Sequence, residues 1–94
     1  MDQNQRNKIL LVTTRGCEGC AIMNKNIKEA LQRTSKKIVY ETIDIKDVDK
    51  SFRNANNLKD FPTIFTFRYG TKVRKEVGTR PTIVILRWFD IDFK

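Results

Sequence analysis

Residues 8–20 read KILLVTTRGCEGC: an apolar run, a turn at Arg15-Gly16, then two cysteines separated by Glu18-Gly19. Lys8 to Thr14 is apolar without alternation, the pattern of a strand covered on both faces. From Cys17 the period changes. Cys20, Met23, Ile27, Ala30, Leu31 and Thr34 recur at three- and four-residue spacing, with Lys25, Asn26, Lys28, Glu29 and Gln32 between them. That is an amphipathic helix whose apolar stripe includes Cys20. The cysteine pair therefore sits where a strand ends and a helix begins.

Lys37 to Ile45 (KIVYETIDI) is rich in β-branched and aromatic residues and reads as a second strand. Strand, helix, strand at this spacing implies a right-handed crossover and a parallel pair. Val48, Phe52, Ala55 and Leu58 then mark a second helix, which ends before Phe61-Pro62 because a residue preceding proline is pushed out of the α region. Thr63 to Tyr69 (TIFTFRY) alternates, placing Phe65, Phe67 and Tyr69 on one face. A two-residue turn at Gly70-Thr71 returns the chain through Lys72 to Val77, with Val73 and Val77 on one face. Thr79 is the expected N-cap of a third helix with Pro81 in its first turn. Thr82 to Leu86 (TIVIL) is β-branched enough to suit a strand, but the capping residues and the Ile85/Trp88/Phe89 spacing choose the helix. The order β-α-β-α-β-β-α gives a two-layer α/β domain over residues 8–94, with a mixed four-stranded sheet and helices on its faces. Residues 1–7 form a flexible polar tail.

With 94 residues the chain has room for one domain, and no apolar stretch reaches the ~20 residues of a membrane span. The polar start shows no signal-peptide pattern, so the expected compartment is the cytoplasm. Histidine is absent, which excludes Cys-His and Ser-His-Asp catalysis. Two cysteines without histidine cannot complete a four-ligand zinc site within one chain, so no metal is expected.

The placement of Cys17 gives it chemistry. The first turn of a helix carries unpaired N–H groups and partial positive charge, and both stabilise an anion. Arg15 adds a formal charge nearby. An ordinary cysteine, pKa ~8.5, is only about 3% thiolate at pH 7, and a pKa near 7 would raise this to about half. Cys20, one turn further on the apolar stripe, should be more buried and less ionised. This asymmetry suits a nucleophile, Cys17, followed by a resolving thiol, Cys20. Gly16 and Gly19 let a substrate backbone approach closely. As a mere staple, the four-residue loop would contribute only ~2 kcal/mol, and a cytosolic protein would not normally keep it oxidised.

Cys17-x-x-Cys20 at the strand-to-helix junction, Phe61-Pro62-Thr63 opening the third strand, Tyr69-Gly70 at the hairpin and Val77-Gly78 before the last helix together resemble the thioredoxin superfamily, from Lys8 to Phe93. The resemblance implies a thioredoxin-like fold, of small thioredoxin or glutaredoxin type, and an enzyme that exchanges thiols and disulfides. It implies a cis Phe61–Pro62 bond facing the cysteines, with Phe61 offering backbone hydrogen bonds to an extended substrate. Arg15, Gly16, Phe61, Pro62 and Thr63 are thus the expected substrate-binding residues. No cofactor is expected beyond the redox-active disulfide, with glutathione or a thioredoxin reductase as reductant, in an electron-transport role. Two departures stand out: Gly16 replaces the tryptophan usual in thioredoxins, and Leu11 falls where their first strand carries a buried acid. They motivate the alternative of a non-catalytic docking or assembly module.

Lysine and arginine number 19 against 11 acidic residues, a net charge of +8, which favours anionic partners. Basic residues gather at Arg33/Lys36/Lys37, at Arg68, and at Lys72/Arg74/Lys75 with Arg80. Tyr40, Phe65, Phe67 and Tyr69 could stack bases, but their alternation also packs a helix on a sheet. The expected partners of this monomer are protein disulfides and an acidic protein, rather than nucleic acid or membrane.

Overall fold

A computed structural model describes residues 6–94. Most of the polar tail, residues 1–5, lies outside the described residues, and Asn7 already belongs to the first strand. The elements are β1 (Asn7–Thr13), α1 (Glu18–Arg33), β2 (Ile38–Asp44), α2 (Lys50–Ala55), β3 (Thr63–Arg68), β4 (Thr71–Val77) and α3 (Thr82–Asp92). A single 3-10 turn, Ile45–Asp47, separates β2 from α2.

The sheet order is β2-β1-β3-β4, with β1 parallel to β2 and every other pair antiparallel. As an interior strand, β1 is covered from both sides, which is why its apolar run does not alternate. Ile9 and Leu11 point to the side of α1 and α3, where Met23, Ile27, Ala30, Ile64, Ile85, Trp88, Phe89 and Phe93 complete the larger core. Val12 and Phe65 point to the side of α2, where they join Leu58 and, partly buried, Leu10, Ile43, Val48, Phe52 and Phe61.

Three local expectations give way. The second helix keeps only Phe52 and Ala55 of its four marked positions. Val48 caps the 3-10 turn, and Ala55 is exposed. Leu58 is buried from the loop beyond, where Asn57 sits at a φ of 50°. The hairpin turn is Tyr69-Gly70, with φ of 53° and 81°, so both central residues are left-handed as the strand twist requires. Tyr69 is therefore at the turn, 60% exposed, and off the Phe65/Phe67 face. A register shift beside Thr66/Phe67 leaves Val73 unpaired, and Val73 and Val77 are both exposed. Finally, α3 starts two residues later than expected: its N-cap is Pro81, and Thr79 lies outside the helix.

Candidate functional site

The apolar strand β1 ends at Thr13, and Gly16 turns the chain into α1 at a φ of 70°, a left-handed position that disfavours any side chain. Space beyond its Cα is open. Cys17 is the N-cap of α1, in extended conformation, and its Sγ accepts the backbone N–H of Cys20 at 3.0 Å. A sulfur thus occupies the place where serine or aspartate normally caps a helix. Cys17 and Cys20 are joined as a disulfide, with Cα atoms 5.2 Å apart. Cys17 is half-buried, whereas Cys20 is 5% exposed. Arg15 projects from the turn into solvent.

The wall opposite is the loop entering β3. The Phe61–Pro62 bond is cis, as the resemblance implies. Pro62 is buried, and its carbonyl accepts the N–H of Gly78 at 2.8 Å, tying the loop to the end of β4. Phe61 is half-buried in the α2-side cluster. Thr63 is 1% exposed, and its hydroxyl donates to the Asp60 carbonyl. The Thr63 side chain is therefore bonded within its own loop.

Gly19 joins the two walls. A Cβ placed there would meet Thr79 Oγ1 at 3.0 Å and Pro62 Cδ at 3.4 Å. The Thr79 hydroxyl donates to the Gly19 carbonyl at 3.3 Å. Next to it, the Arg80 N–H points at Met23 Sδ (3.4 Å), and the Arg80 carbonyl accepts from Asn26 at 2.9 Å. Residues 79–80 are thus a strap across the start of α1. The strap is hidden in the sequence because a threonine ahead of Pro81 has the chemistry of a helix N-cap. The one available signal was the polar Thr79-Arg80 pair ahead of Pro81.

The arrangement places one half of a disulfide at a helix start, on a half-buried residue, with its other half on a buried one. That is an equipped site for thiol–disulfide exchange. Among the described residues no cluster of three metal-ligating side chains occurs, and no helix is long and apolar enough to cross a membrane.

The family model for thioredoxin matches residues 2–90. No curated protein is similar in sequence. Among solved structures, a thioredoxin-2 of the malaria parasite, described as part of that parasite's protein secretion machinery, superposes with a TM-score of 0.78 at 14% identity, covering 92% of this chain and 82% of its own. A thioredoxin from Halobacterium salinarum gives 0.78 at 15% identity, over 94% of this chain and 75% of that one. Oxidised thioredoxin O2 from Arabidopsis thaliana gives 0.75 at 19% identity, over 96% and 77%. At such identities the structures attest the fold.

Proposed function

The chain belongs to the thioredoxin family, and on that premise we propose that it is a thiol–disulfide oxidoreductase working through Cys17 and Cys20. The observation that carries the reading is the unequal pair itself: a half-buried cysteine capping α1 and a buried one a turn behind it. In the reduced protein the Cys20 N–H and the helix start would hold Cys17 as thiolate. That thiolate attacks one sulfur of a substrate disulfide. The substrate S–S bond breaks, its second sulfur leaves and takes up a proton, and a mixed disulfide remains on Cys17. Cys20, deprotonated, then attacks Cys17 Sγ. The first substrate sulfur leaves as a thiol, and the Cys17–Cys20 disulfide closes. Two electrons have passed to the substrate, and a thiol reductant, glutathione or a thioredoxin reductase in the cytoplasm, must return them. Substrate backbone would lie between Gly16, Arg15 and the Phe61–Pro62–Thr63 segment.

A trapping experiment tests this. Cys20→Ser leaves Cys17 able to attack and unable to release, so covalent complexes with protein disulfides accumulate and vanish with dithiothreitol. Cys17→Ser forms few, because Cys20 is shielded. The docking-module alternative draws on Leu11, fully buried and apolar where thioredoxins place an acid. It predicts no trapped species from either variant and unchanged partner binding by the double variant, an outcome that overturns the oxidoreductase reading.

A further inference from the structure

At the opposite end of the sheet from the cysteines lies a cleft of about 650 Å3 lined by Arg6, Asn7, Lys36, Lys37, Ile38, Val39 and Tyr69. β1 spans seven residues between them, so the two sites are about 20 Å apart. Among the described residues three cations line the cleft, and no carboxylate does. Lys36 Nζ donates to the Phe93 carbonyl at 3.1 Å, which fixes the ammonium, and among the described residues its other two donors have no partner. The volume falls in the range of small-molecule sites.

Tyr69 gives the cleft its character. Its φ of 53° is a left-handed conformation that favours glycine or asparagine, yet the position carries a large ring, 60% exposed. The Tyr69 N–H is bonded to the Arg6 carbonyl at 3.3 Å, holding the ring at the rim. The Arg68 guanidinium stacks over the ring, 5.3 Å from its centre. Core packing does not account for this aromatic, since most of its surface is open to solvent and it is a member of neither core cluster. Backbone strain retained at an exposed ring points to a use for that ring.

We propose that this cleft binds a nucleoside phosphate, free or within a single strand, with its base on Tyr69 and its phosphate among Arg6, Lys36 and Lys37. An acidic peptide would satisfy the cations and leave the ring without a role.

Fluorescence anisotropy with labelled (dT)12, with ATP and an oligoglutamate 12-mer as competitors, tests it on the full chain at low salt. With three cations engaged, log Kd against log salt should have a slope magnitude of about 2, and Lys37→Gln should lower it by about 0.7. Tyr69→Asn should weaken binding at least about five-fold, the equivalent of ~1 kcal/mol of stacking. The same variant should unfold at a temperature no lower than wild type, because asparagine suits the left-handed turn. Displacement by ATP as well as by unlabelled (dT)12 would assign the free nucleotide, and displacement by (dT)12 alone the strand. No binding, equal competition by oligoglutamate, or full binding by Tyr69→Asn would each overturn the proposal. Disulfide reduction should be unaltered in Tyr69→Asn, so this result and the Cys20→Ser trap fail independently.

Discussion

Cys17 and Cys20 are the same side chain in unlike surroundings. Cys17 caps a helix and is half-buried, while Cys20 is 5% exposed against the core. In the reduced protein iodoacetamide should therefore modify Cys17 first, with a rate midpoint below the ~8.5 of an ordinary thiol. Peptide mapping across pH reads this directly, and equal rates at both cysteines would refute the roles given to them. Both cysteines could be placed from sequence because strand-to-helix junctions show in the change of period. Gly19 could not be read as fully. Sequence shows a glycine near a substrate, whereas the structure shows a place where any Cβ would meet Thr79 and Pro62. Alanine at a helix position ordinarily stabilises by up to ~1 kcal/mol. Here Gly19→Ala should instead destabilise by about 1 kcal/mol, because its Cβ displaces the Thr79 hydroxyl. In a Thr79→Ala background the same change should become neutral or favourable, a non-additivity that urea titration of the four proteins measures.

Elements with long periodic signatures were legible, and short ones were not. β1, α1, β2 and β3 follow from their apolar spacing, and α3 from a stripe strong enough to outweigh its β-branched start. The second helix failed because tertiary packing pulls Val48 and Leu58 inward from non-helical backbone, and pattern alone cannot tell that from a helix. The hairpin turn was misplaced by one residue because glycine's chemistry suits either central position. A link between elements also hides from sequence: the Tyr40 hydroxyl on β2 donates to Asn24 Oδ1 on α1 at 2.7 Å. Burial pushes the Tyr40 phenol up from 10.0 to about 12. The folded chain thus holds this proton more tightly than the unfolded chain does. Below pH 10 both states keep it, and its contribution is whole. Between pH 10 and 12 the unfolded chain ionises first, so stability falls as pH rises. Tyr40→Phe should be about 1 kcal/mol less stable at neutral pH for want of the hydrogen bond. Its stability should then fall less steeply above pH 10, and parallel slopes for the two proteins would contradict the assignment.

Across the whole molecule the edge strand is held by one buried charge. Asp92, near the end of α3 and 4% exposed, accepts from the Thr66 hydroxyl on β3 at 2.9 Å. It also takes Arg74 of β4 in a fork, Nε at 2.8 Å and Nη2 at 3.2 Å. Hydrogen bonding to Asp92 raises the Arg74 pKa further above its ordinary value. Arg74 lies over the Trp88 ring at 5.3 Å and pairs with Glu76, which meets Arg80 of the strap at 3.5 Å. Charge thus runs from the last helix through the edge strand to the site. Partners 18 residues apart on different elements leave no periodic trace, so sequence could not announce them. Breaking a buried pair by removing one member costs ~3–5 kcal/mol, whereas replacing all its members with apolar residues can be neutral. Asp92→Asn keeps volume and loses charge, so it should lower unfolding free energy by about 3 kcal/mol. Trp88 is the chain's one tryptophan and reports the transition by fluorescence. The triple variant Asp92→Leu/Arg74→Met/Thr66→Val should recover most of that loss, since the Thr66 hydroxyl and both charges leave together. If Asp92→Asn unfolds at the wild-type urea concentration, the network does not hold the edge strand, and β4 must be secured by its ladder with β3 alone.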